Sequence, residues 1–271
     1  MFAGLQGESF CQGGDIMKFK NGLLSGVVLG AISVMAQSAT AAEIKVLTTG
    51  AFKQVVVALV PEFEKATGHK VVLDNGTVGE LQKRVDGGET FDVLVLSPKG
   101  IEDYIKSGKI VAGSNANLAK VGVGVMVKEG ASKPDISSVD AFKQALRNAK
   151  SVAYIDPASG GSSGIYVAGL LDKLGVADEV KPKAKLKKGG HVSDLIVSGD
   201  AELGIHQISE IVSQKGVTLV GPLPKDIQNY TTYAVGLSAG AKQAEAARAF
   251  IKVLTGPSAA AVLKSKGMEG A

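Results

Sequence analysis

Between Glu43 and Pro98 the chain alternates strand-like and helix-like patterning over five segments. The segments are "EIKVLTTG" (43–50), "AFKQVVVALVPEFEKATG" (51–68), "HKVVLDNG" (69–76), "TVGELQKRVDGG" (77–88) and "FDVLVLSP" (91–98). Strands separated by helix-length segments cannot be hairpins. They predict parallel strands joined by right-handed crossovers, with helices covering both faces of a sheet. The composition suits this α/β class: 45% of residues are hydrophobic and 21% charged, and 35 glycines supply tight turns.

A second α/β unit begins at "KVGVGVMVKEGA" (120–131), a Val/Gly run that reads as a strand crossing between lobes. A helix follows with Ser138 or Asp140 as its N-cap, then the strand Val152 to Ile155, a helix from Ile165 to Leu174, a helix from His191 to Ser198 and the strand Glu202 to His206. The strand Tyr230 to Leu237 then leads to helices 241–255 and 257–266, which have no strands of their own and are expected to pack on the first lobe. The predicted division is 1–41 as leader, 42–121 plus 231–271 as lobe 1, and 122–230 as lobe 2. Strands near Val121 to Val127 and Thr231 to Val235 form the expected hinge, with a ligand cleft between the lobes.

The stretch "SVAYIDPASGGSSGIYVAGLLDKLG" (151–175) strips a loop of large side chains just where a helix begins. The first helical turn carries unpaired N–H groups and partial positive charge, so small residues there let an anion reach the backbone. Gly160 to Gly164 also fits the G-x-S-x-G nucleophile elbow, but Asp156 to Gly160 separates Ser162 from the strand, and an elbow serine follows its strand at once. Ser162 therefore reads as an anion ligand or cap.

Residues 17–42 carry Lys18 and Lys20, an apolar run from Leu23 to Met35, and Ala39-Thr40-Ala41. That is the pattern of a secretory signal peptide, its apolar run too short to span a bilayer. Translation is expected from Met17, with the mature chain beginning near Ala42 in the periplasm. Cys11, the sole cysteine, lies before that start, so no disulfide or thiolate metal site is expected in the exported chain. The alternating Lys181, Lys183, Lys185, Lys187 and Lys188 read as a solvated strand face rather than a nucleic-acid site, with a net charge of only +4 and no aromatic residue interleaved.

In order and spacing, "IKVLTTGAF", "GETFDVLVLS", "DPASGGSSGIYVAGLL", "AELGIHQISE" and "GPSAAAVLKSKG" resemble the ModA-like branch of type II extracytoplasmic solute-binding proteins. The resemblance implies a two-lobed receptor, monomeric and without cofactor or metal, that binds a small anion and presents it to the permease of an ABC transporter. Helix starts at Gly50-Ala51, Thr77-Val78 and Ser162-Ser163, with Val192 and Gln207, are the implied ligand-binding positions. Molybdate receptors of this branch carry serine hydroxyls where this chain has Ala51 and Val78, and a tyrosine where it has Gln207. These departures imply an organic carboxylate in preference to molybdate, since a pocket lacking buried donors loses affinity for the ligand they serve.

The same resemblance implies an enzymatic alternative, because aconitate isomerase, which interconverts trans- and cis-aconitate, uses a chain of this family. The base would be His206 or His191, whose neutral-to-charged switch near pH 7 suits proton transfer. Lys53 and Glu210 are further candidates, as a carboxylate partner and a base. His69 reads as surface structure. Three dispersed histidines make no metal signature.

Overall fold

The computed structural model describes residues 41–271. The expected leader, start codon and Cys11 lie outside the described residues. The first elements are β1 (Glu43–Thr49), α1 (Gly50–Thr67), β2 (Lys70–Gly76), α2 (Val78–Asp86), β3 (Val93–Leu96), α3 (Pro98–Lys106), the long β4 (Ala116–Lys128), α4 (Val139–Asn148) and β5 (Val152–Ile155). Then come α5 (Ser162–Lys173), α6 (Ala177–Val180), β6 (Ala184–Lys187), α7 (Ser193–Ser198), β7 (Leu203–Gln207), α8 (Ile208–Val212) and β8 (Val217–Pro222). The chain ends with β9 (Tyr230–Leu237), α9 (Ala244–Leu254), α10 (Pro257–Ser265) and β10 (Glu269–Gly270).

The strands form one continuous path, β2-β1-β3-β9-β4-β7-β5-β6, with β8 and β10 also paired to β4. The expected parallel pairs are present as β1 with β2 and β3, and β5 with β6 and β7. β4 and β9 are antiparallel to their neighbours and join the two parallel sets. β4 changes partner halfway along: Gly122 faces Tyr230 of β9, whereas Val123 faces Gln207 of β7. At that step the Gln228 side chain stands in for a strand, its Oε1 accepting from Val123 N–H at 2.8 Å and its Nε2 donating to Val123 C=O at 2.9 Å. The Val123 carbonyl also accepts from Leu223 N–H at 3.0 Å, so both backbone groups are paired at the partner change.

Each parallel set is covered on both faces. On one side of β1 and β3, α1 buries Phe52, Val55, Leu59 and Phe63 against Phe250 and Leu254 of α9 and Leu263 of α10, so the last helices do pack on the first lobe. Leu81, Val85, Ile101 and Tyr104 fill the other side. Phe142, Leu146, Val167 and Leu171 form the larger core of the second lobe, with Val192, Ile196 and Ile211 on its opposite face. Each such side chain contributes about 1.5–3 kcal/mol by leaving water.

Several boundaries differ from expectation. α5 begins at Ser162, three residues early, because serine is tolerated in a first turn whose N–H groups need no intrahelical acceptor. α7 begins at Ser193 rather than His191, which stays in a turn after Gly190, at φ 74°. The lysine run is not one strand face: Lys181 to Lys183 form a 3₁₀ turn, Lys183 Nζ donates to the Arg147 and Ala149 carbonyls, and Lys187 pairs with Asp194 at 3.0 Å.

Candidate functional site

The parallel strands of both lobes end facing one another, and their C-terminal ends enclose a cavity of about 220 Å³. Thr49, Gly50 and Ala51 line it from the β1–α1 junction, and Asn75 to Val78 with Glu80 from the β2–α2 junction. The second lobe supplies Ile155, Gly161, Ser162 and Ser163 around the start of α5, the turn Gly189 to His191, and His206, Gln207 and Glu210 at the β7–α8 junction. Tyr233 of β9 completes the lining.

Two long helices present uncapped N-termini here. Thr49 precedes the 18-residue α1 without capping it, and its Oγ1 is buried with no partner. Gly161 precedes α5 and has no side chain to cap it. Gly164 allows α5 to sit directly on β5, since a Cβ there would lie 2.2 Å from the Ile155 carbonyl oxygen. The bare loop thus brings backbone N–H groups close to the cavity, the arrangement that favours anionic oxygens. α2 differs: Thr77 Oγ1 accepts from Glu80 N–H at 3.1 Å while the Glu80 carboxylate accepts from Thr77 N–H at 2.8 Å, a complete capping box.

Thr77 also reaches across the cleft. Its hydroxyl donates to the Ser159 carbonyl at 2.5 Å, and Gly79 N–H donates to the Gly160 carbonyl at 3.2 Å. The backbones meet so closely that a Cβ on Gly160 would stand 2.6 Å from Gly79 Cα. The cleft is therefore clasped shut by backbone contacts, and the Thr77 hydroxyl is committed to cap and clasp rather than free for a ligand.

The cavity also contains a buried acid–base pair. His206 Nδ1 lies 3.3 Å from Glu210 Oε2 and 3.5 Å from Ser163 Oγ. Gln207 N–H donates to the same Nδ1 at 2.7 Å, so the neutral ring carries its proton on Nε2, which is buried on the side of the Gly190 backbone. Burial, aided by the nearby His191, holds His206 far below the ordinary histidine range, at about 3. Burial raises Glu210 to about 8, against a lowering pull from Lys53. Gln207 donates through Nε2 to Thr231 Oγ1 at 3.1 Å, leaving Oε1 with no donor.

Of the residues expected at the site, Gly50, Ala51, Thr77, Val78, Ser162, Ser163, His191, His206 and Gln207 do line the cavity. Val192 does not: its side chain is wholly buried beside Ile155 and Ile196, because the turn presents His191 instead. Lys53 lies near enough to act on Glu210 and His191 but touches neither. His69 is remote, its Nδ1 accepting from Ala42 N–H at 3.1 Å. Sequence reasoning missed Tyr233, whose phenol burial pushes well above the ordinary range, and Glu80, whose placement three residues after Thr77 was the legible capping-box signal. Among the described residues no cluster of His, Cys, Asp and Glu could hold a metal ion.

Residues 44–269 match the family model described as bacterial extracellular solute-binding protein. The chain is 30% identical over 253 residues to an aconitate isomerase from a Pseudomonas species, spanning 90% of this chain and 95% of that one. It is also 30% identical over 259 residues to the molybdate-binding protein of Azotobacter vinelandii, spanning 89% and 95%. The solved Azotobacter vinelandii periplasmic molybdate-binding protein superposes with a TM-score of 0.71 at 22% identity, over 83% of this chain and 98% of that one. The chain belongs to the bacterial extracellular solute-binding protein family, in its ModA-like branch with the two-lobed type II fold.

Proposed function

We propose that the protein takes a small organic polycarboxylate into the cleft and interconverts its double-bond isomers by proton transfer, as an aconitate isomerase. The observation that carries this reading is the buried Glu210–His206 pair in the wall of an anion cavity. A cavity that only binds oxyanions is served by donors, and an ionised carboxylate in its wall would repel the ligand. Glu210, raised to about 8, is mostly protonated at neutral pH, so it tolerates an anion, and its conjugate base is strong enough for carbon acid chemistry. Environments that push two titratable groups apart mark acid–base assignments.

The chemistry balances within the substrate. A base removes a proton from the CH₂ group beside the double bond, and the C–H electron pair joins a three-carbon allyl system conjugated with the carboxylates. The former vinylic carbon then takes the proton back. One C–H bond is broken and one made, the double bond moves, and nothing is oxidised or reduced. The helix N-termini of α1 and α5, with Lys53 at the side, would hold the carboxylates.

A second reading, a receptor that passes its anion to an ABC permease, is favoured by the backbone clasp between α2 and the 159–160 turn, since a receptor must close around its ligand. In both readings residues 42–121 and 231–271 form one lobe and 122–230 the other, and the protein is a monomer exported to the periplasm behind a cleavable leader. The test begins with thermal stabilisation by trans-aconitate, cis-aconitate, citrate, molybdate and sulfate, followed by proton NMR of either aconitate in D₂O. Isomer conversion with deuterium incorporation is the expected result. Tight aconitate binding with neither leaves the receptor, and tight molybdate binding without carboxylate binding overturns both carboxylate readings.

A further inference from the structure

The pair at the β7–α8 junction could divide its labour in two ways, and the hydrogen bonds choose between them. Resting on the isomerase reading, we infer that Glu210 is the base that carries the substrate proton and that His206 positions and tunes it without taking the proton itself.

The imidazole has no free site for a proton. Nε2 already bears one, and Nδ1 is occupied by the Gln207 backbone N–H at 2.7 Å. Protonating Nδ1 would place two N–H groups head to head inside a ring environment only 3% exposed, and the Gly190 backbone beside the ring does not offset that burial. Burial already disfavours the charged ring strongly. His206 is thus locked as a neutral group, its Nδ1 held by Gln207 N–H and packed 3.3 Å from Glu210 Oε2.

Glu210 has the freedom His206 lacks. Two carboxyl groups line the cavity, and that of Glu80 is held by Thr77 N–H in the α2 cap. Glu210 accepts no backbone N–H, and one oxygen rests over the first residue of α1, where a Cβ on Gly50 would stand 2.8 Å from Oε1. Only glycine at position 50 leaves room for a carboxyl between the imidazole and the helix start. The groups facing it are Lys53 from α1, His206 from β7 and Tyr233 from β9, with His191 beyond the imidazole. The buried imidazole 3.3 Å away keeps water from the carboxyl, and that burial favours the acid form and so strengthens the conjugate base. A carboxyl on the start of α8 can reach a CH₂ group whose flanking carboxylates sit on the helix N-termini, and no second residue is needed to return the proton to the former vinylic carbon at the other end of the allyl system.

The experiment measures kcat against pH for trans-aconitate, and trans-aconitate binding by calorimetry, in wild type, Glu210→Gln, Glu210→Asp, His206→Gln and His191→Gln. Glu210→Gln is expected to bind within about tenfold of wild type but to lose turnover by at least ~100-fold, the usual contribution of a general base. Glu210→Asp should recover part of it. His206→Gln should still turn over, with the alkaline rise in kcat moved to lower pH because a smaller, more polar side chain leaves the carboxyl less completely buried. Turnover in Glu210→Gln within a few-fold of wild type overturns the inference, as does loss of turnover at every pH in His206→Gln or His191→Gln with binding intact. Wild type that binds but never converts overturns the isomerase reading and this role together, and is distinguished by failing before any substitution is made.

Discussion

Replacing Gly79 by alanine should open the cleft without weakening either lobe. Gly79 lies in the first turn of α2, where alanine is intrinsically the better helix former by up to about 1 kcal/mol. Across the cleft its Cβ would stand 2.9 Å from Gly160 Cα and 3.2 Å from the Ser159 carbonyl oxygen, both backbone atoms that cannot rotate away. The turn must retreat, and with it go the Gly79–Gly160 and Thr77–Ser159 hydrogen bonds. At about 0.5–1.5 kcal/mol each, their loss raises the closed state by about 1–3 kcal/mol, or roughly 5- to 150-fold in affinity for a ligand held only by that state. Calorimetry with trans-aconitate reads the affinity, small-angle scattering of the free protein reads the expansion, and a thermal melt reads the lobes. Unchanged affinity and unchanged radius of gyration would show that the clasp does not govern closure. A lowered melting temperature of the free protein would show that the substitution damages α2 instead.

The buried pair predicts a pH-dependent stability. Glu210 sits at about 8 when folded, above its ordinary 4.5, so the native state holds the extra proton and stability falls as pH rises across that window. His206, at about 3 against 6.5, contributes the opposite slope up to pH 6.5, leaving Glu210 alone from 6.5 to 8. Urea titrations should show wild type losing up to about 2 kcal/mol over that interval while Glu210→Gln stays flat by comparison, and parallel curves would contradict the assignment. Lys53→Gln should weaken trans-aconitate binding most at low ionic strength and move the kcat rise to higher pH, since Lys53 holds Glu210 down; a salt-independent affinity would count against it. Phe250→Ala should cost about 3–5 kcal/mol in denaturant titrations, because Phe250 packs edge-on to Phe63 at 4.9 Å in the lobe 1 core.

The alternation of strands and helices was readable because it depends on local periodicity, and β1 to β3 fell where the apolar runs predict them. β8 was not readable: "VTLVGP" is half-exposed and takes its register from β4, a partner far away in sequence. The helix N-termini of the site were legible as small residues after strands, yet the uncapped start of α1 and the boxed start of α2 differ by one glutamate, Glu80, whose capping-box spacing was legible but whose place in the cavity wall appears only with the geometry. His206 and Glu210 were both visible as candidates. Which of them can take a proton depends on a backbone N–H and on burial, and neither is written in residue type.

The return of the chain through β9 to α9 and α10 has a consequence for the order of assembly. Phe142, Leu146, Val167, Leu171 and Ile205 of the second core all lie within one continuous stretch, so that core can close as soon as its own segment is available. Phe52 and Phe63, made earlier, must wait for Tyr233, Phe250, Leu254 and Leu263 at the far end before their side of β1 is covered. The lobe that begins first therefore finishes last. Its long-range closure carries the larger loop-entropy cost and leaves α1's apolar face without its partners until the final helices arrive.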